Sequence, residues 1–138
     1  MYKFKVVQIN TFLKGGAFQA ASRLHKGLIT HDIDSRFLGF FTGKLDDKMK
    51  SFHKLQNLLF KAVTKFKLPI NKAGKNARKI PSSSRNYEVY SFRTSDYDLT
   101  EHPLIREADV IHLHWVNNFL DYPSFFRKIN KPIVWTLH

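Results

Sequence analysis

Apolar positions change period several times along this chain, and each change marks a predicted element. Residues 3–9 are β-rich and mostly apolar, which predicts a strand. After Asn-Thr-Phe-Leu-Lys-Gly-Gly, residues Ala17, Ala20, Ala21, Leu24 and Leu28 fall at helical spacing, with Arg23 and Lys26 off the stripe. The local order is therefore strand, glycine turn, helix. Residues 35–41 predict a second strand. A strand–helix–strand unit within one sheet favours parallel pairing with a right-handed crossover.

The pattern then breaks. Met49, Phe52, Leu55, Leu59, Ala62, Val63 and Phe66 form one apolar stripe, and Lys50, Lys54, Lys61 and Lys65 lie away from it. This predicts a basic amphipathic helix ended by Pro69, followed over residues 71–86 by a basic, serine-rich loop.

Regular structure is expected to resume with a third strand at 87–92, a short helix at 102–107, a strongly apolar strand at 109–115, a helix at 122–129 and a last strand at 133–138. The final two strands are continuously apolar, which suits a parallel sheet covered on both faces. The expected fold class is α/β: a Rossmann-like parallel sheet flanked by helices. The chain stops where a strand should hand over to its next loop. The expectation is an incomplete N-terminal domain over residues 1–138, with a basic insertion at about 44–86.

Composition narrows the picture. The chain has 138 residues, 43% hydrophobic and 14% aromatic, enough for one domain with a true core. No apolar run approaches the roughly 18 residues of a membrane-spanning helix, and the N-terminus lacks signal-peptide character. A cytoplasmic location is expected. With no cysteine, disulfides, thiolate metal sites and cysteine nucleophiles are excluded. Of the net charge of +12, +10 falls between Lys44 and Arg85, where twelve basic residues meet only Asp46 and Asp47. Such a segment is drawn to anionic surfaces. Residues 46–68 could meet an anionic membrane surface, or could pack on the domain with the lysines as a solvated face. The same basicity with interleaved aromatics admits an alternative class, a small basic nucleic-acid-binding protein.

Three motifs carry candidate chemistry. Gly15-Gly16, between the first strand and helix, lets the backbone approach an anion such as a diphosphate, with a plain glycine turn as the alternative. It lacks the G-x-G-x-x-G spacing, and no Walker loop is present. In Ala-Asp-Val-Ile-His-Leu-His-Trp, residues 108–115, His112 and His114 share one strand face. No third zinc ligand is identifiable, so no metal site is expected, and His112 reads as structural. His114 and Trp115 sit where parallel sheets bind ligands and suit a hydroxylated ring. His138, closing Trp-Thr-Leu-His at the end of an expected central strand, enters the same crevice and could bond or orient a substrate hydroxyl.

Taken together, Asn10 with Gly15-Gly16-Ala17, Ala20-Ala21, Arg23-Leu24-His25, the block 108–115 and the block Lys-Pro-Ile-Val-Trp-Thr-Leu-His at 131–138 resemble the N-terminal domain of family 4 glycosyltransferases. Bacterial enzymes of exopolysaccharide and colanic-acid-type assembly are the most similar. The resemblance covers about residues 3–41 and 87–138. It implies a GT-B architecture and retaining transfer of a sugar from a nucleotide-sugar donor, a co-substrate rather than a resident cofactor, to a glycan or lipid-linked acceptor. By the same resemblance Gly15 and Gly16 lie near the donor diphosphate, His138 is the catalytic histidine at the cleft, and His114 and Trp115 line the acceptor side. No nucleic-acid partner is then expected. The family's second domain, with its nucleotide site and Glu-x7-Glu motif, has no counterpart here, so the 138 residues are expected to be inactive alone, and the enzyme cytoplasmic and peripheral on the inner membrane face.

Overall fold

The computed structural model describes residues 2–39, the backbone of 49–51, and 91–138. Five parallel strands form one sheet in the order β3-β2-β1-β4-β5. They are β1 (Lys5–Asn10), β2 (Asp34–Gly39), β3 (Met49–Ser51), β4 (Val110–Leu113) and β5 (Ile133–Trp135). Three helices accompany them: α1 (Gly15–Thr30), α2 (Pro103–Glu107) and α3 (Tyr122–Lys128). The α/β Rossmann-like class follows from this arrangement.

Side chains alternate across the sheet, and the two faces bury different things. Val7 and Ile9 of β1, Leu38 of β2 and Ile111 and Leu113 of β4 join Ile105 of α2, Phe125 of α3, Leu99, Phe119 and Leu120 in the main core. On the opposite face Phe37 packs against Ala21 and Phe18 of α1. Burying each Leu, Ile or Phe of this kind stabilises the fold by roughly 1.5–3 kcal/mol.

Helix α1 lies on the sheet along a different line from the predicted stripe. Ala20 and Leu24 are exposed, whereas Ala21 and His25 are buried. The reason is a partner. Ser35 of β2 places its hydroxyl 2.8 Å from His25 Nδ1, and the His25 ring stands edge-on to Phe37, so a satisfied histidine takes the central position.

Local capping explains where the short helices begin. His102 accepts from the Leu104 N–H at the start of α2, and Asp121 accepts from the Ser124 N–H at the start of α3, with proline in the first turn of each. Lys131 donates to the carbonyls of Arg106 and Ala108 at the end of α2.

Several expectations are corrected. Met49–Ser51, expected to open the amphipathic helix, is a strand paired with Phe37–Gly39, because β2 offers an unpaired edge there. The remainder of that helix, the basic loop and residues 40, 41 and 87–90 lie outside the described residues. Ser91 and Phe92, expected at the end of a third strand, are irregular. The last strand stops at Trp135, since β4 provides only Ile111, His112 and Leu113 as register partners. Among the described residues β5 is an edge strand rather than a central one, and Val134 is 49% exposed instead of covered on both faces. No described helix is long and apolar enough to cross a membrane.

Candidate functional site

The strand order creates a crevice. From β1 the chain passes through α1 to β2 on one side, whereas β4 pairs on the other side of β1. In open parallel sheets, ligands bind outside the carboxyl ends of strands at such a reversal. Here the reversal lies between β1 and β4. Gly15 and Gly16 follow the first of these strands, and His114 and Trp115 follow the second.

Asn10 holds the crevice together. It is buried at the end of β1, accepts from the Trp115 N–H at 2.9 Å and donates to the Phe12 carbonyl at 2.6 Å. Thr11 adds its N–H to the Trp115 carbonyl at 2.7 Å and its hydroxyl to the Asn117 carbonyl at 3.0 Å. Three of these hydrogen bonds tie the two loops together across the sheet edge, and Trp115 is half-buried.

Gly15 opens α1 with φ at +85°, a conformation that disfavours any side chain. Nothing lies within 4 Å of a Cβ built on Gly15 or Gly16, so the space before them is open. Lys14 occupies the N-cap without a side-chain hydrogen bond, and no acidic residue sits in the first turn. Leading amides are therefore not satisfied by a side-chain cap, and the positive end of the helix dipole is not countered within the first turn.

The histidines form a stack. His112 and His114 have ring centroids 4.2 Å apart at 23°, and His114 and His138 are 5.5 Å apart at 27°. His112 Nε2 meets the Thr136 hydroxyl at 2.8 Å, which supports its structural role. His114 uses both nitrogens: Nε2 faces Gln8 Oε1 at 2.7 Å and Nδ1 faces His138 Nε2 at 3.3 Å. Burial, with added repulsion from His112 and His138, pushes the His114 imidazole down to about 4. Burial and His138 lower His112 as well.

The stack is not arranged for a metal. Four of its six ring nitrogens meet one another, Gln8 or Thr136, and among the described residues no group of three or more His, Asp or Glu has metal-holding geometry.

Of the residues singled out from sequence, the fold brings His114 and His138 into contact and sets Gly15, Gly16 and Trp115 on the same sheet edge. Gln8 was missed. The signal was available: a carboxamide in the middle of an apolar parallel strand must find a polar partner, and Gln8 pairs in register with His112 of β4.

An aromatic cluster gathers around Trp135 of β5, which pairs in register with Leu113. Trp135 packs on Tyr122 at 5.3 Å and on Phe126 at 6.0 Å, and its indole N–H donates to the His114 carbonyl. No family model, curated protein or solved structure significantly matches the chain.

Proposed function

We propose that this chain is the N-terminal, acceptor-side portion of a retaining glycosyltransferase of GT-B architecture, which moves a sugar from a nucleotide-sugar donor to a glycan or lipid-linked acceptor in surface-polysaccharide assembly. One observation carries the reading: Gly15, Gly16, His114, Trp115 and the His138 imidazole all lie at the carboxyl edge around the β1–β4 reversal.

In this reading the Gly15 and Gly16 amides, at an uncapped helix start, face the donor diphosphate and favour its negative charge as it departs. His138 is exposed and offers its ring to a sugar hydroxyl, while the half-buried Trp115, at the same sheet edge, supplies a flat apolar surface. Transfer also needs positive groups around the phosphates, which the resemblance assigns mainly to a second domain. A lipid-linked acceptor would be met at the inner face of the membrane through residues 46–68, which apart from 49–51 lie outside the described residues.

Titration of the isotope-labelled chain with acceptor-type oligosaccharides, and separately with nucleoside diphosphates, tests the proposal. Saccharides are expected to shift the His114, Trp115 and His138 resonances, and diphosphates the amides of Gly15 and Gly16. Silence of all five residues toward both classes would overturn it. Salt-sensitive RNA or DNA binding confined to residues 44–86, with that silence, would favour a nucleic-acid-binding protein instead.

A further inference from the structure

Gln8 is wholly buried in the central strand, and its role follows from proton counting. Its Oε1 lies 2.7 Å from His114 Nε2. With the carboxamide oxygen turned to His114, the proton sits on His114 Nε2, and the Gln8 NH2 is buried without a hydrogen-bond partner among the described residues. A neutral imidazole carries one proton, which leaves His114 Nδ1 bare. That bare nitrogen faces His138 Nε2 at 3.3 Å, and two bare nitrogens cannot bond. His138 Nε2 must therefore donate. In neutral His138 the remaining nitrogen, Nδ1, is an acceptor on an exposed ring, with no partner among the described residues.

The direction of this chain depends on one amide. If the Gln8 carboxamide were turned over, its NH2 would donate to His114 Nε2, the His114 proton would move to Nδ1, and His138 would present an N–H instead. Neutrality of His114 is needed in either case. Burial and the two neighbouring imidazoles supply it, and no described acidic side chain hydrogen-bonds any of the three rings.

We infer that Gln8 is a positioning residue that sets the polarity of the Gln8–His114–His138 chain, so that neutral His138 presents Nδ1 as a hydrogen-bond acceptor to a hydroxyl-bearing ligand. Use of that acceptor on a sugar hydroxyl rests on the glycosyltransferase reading; the polarity itself is a property of the chain alone. Ligands that offer only acceptors at this point would be discriminated against, because a bare nitrogen would face a lone pair.

Long-range proton–nitrogen correlation spectra of the full chain, labelled at histidine and recorded at neutral pH, read the tautomers directly. His114 and His138 are both expected to be protonated at Nε2. Protonation of His138 at Nδ1, or an even mixture, overturns the inference. Gln8→Leu removes the acceptor and is expected to convert His138 to a mixture; an unchanged His138 spectrum in a folded Gln8→Leu chain would equally overturn the inference. Should Gln8→Leu fail to fold, the wild-type spectrum decides. A reversed polarity with saccharide-induced shifts intact overturns this inference alone, whereas the expected polarity without a response to either saccharides or nucleoside diphosphates overturns the functional proposal alone.

Discussion

His114 Nδ1 and His138 Nε2 lie 3.3 Å apart although 24 positions separate them, because β4 and the chain running on from β5 leave the sheet side by side. The Thr136 N–H donates to the Leu113 carbonyl and extends the strand pairing by one step, to Thr136 beside His114, and His138 follows two residues further on. This contact joins a buried, neutral imidazole to an exposed one.

Acid is expected to weaken the fold through this cluster. Folded His114 titrates at about 4, against roughly 6.5 for an unperturbed histidine, so between those values the unfolded chain holds the extra proton. Its contribution is fully present above about pH 6.5 and is lost as pH falls toward 4. His112, also lowered, acts in the same direction. The groups facing His114 are His112, His138 and the uncharged Gln8. Urea midpoints across this range should fall with pH, and the slope should shrink in His114→Gln; a flat wild-type profile would refute the assignment.

Gly15→Ala and Gly16→Ala are expected to diverge. Alanine at φ +85° is strained and should cost about 1–2 kcal/mol although the space is empty. At Gly16, without that constraint, alanine should be neutral or stabilise by about 0.5–1 kcal/mol. Thermal melts compare the two, and equal effects would remove the argument from backbone conformation.

Asn10→Ala should loosen the crevice. It removes the acceptor of the Trp115 N–H and the donor to the Phe12 carbonyl, and should cost roughly 1–3 kcal/mol. Amide exchange of Trp115 reports the change, which should exceed any change at the core amide of Ile111. Uniform exchange across both would contradict the local role.

Asp121→Ala should destabilise the α3 side of the sheet by about 1–3 kcal/mol, since the carboxylate accepts from both Ser95 N–H at 3.1 Å and Ser124 N–H at 3.2 Å. Asp121→Asn keeps one acceptor oxygen and should lose less. Denaturant unfolding of the two variants gives the order, and a larger loss in the asparagine variant would contradict it.

Much of the parallel α/β plan was legible because it depends on period. Alternating or continuous apolar runs place β1, β2, β4 and β5 within three residues of their observed ends, and a glycine turn marks the start of α1. Met49 shows the limit. Its apolar spacing fits a helix, yet β2 presents a free edge, and backbone pairing with Phe37–Gly39 decides the matter. Leu24 shows another: a helical stripe gives a face to about one residue in either direction, and the Ser35 hydroxyl turns α1 so that His25 is buried instead.

For the candidate site, the residue types and the strand-end positions of Gly15, Gly16, His114, Trp115 and His138 were determined by the sequence alone, since both follow from local pattern. That His114 touches His138, that Gln8 orders their protons, and that Asn10 locks the two crevice loops were decided only by the tertiary structure. The physical reason is that a hydrogen bond is set by register between strands, and register is a property of the assembled sheet.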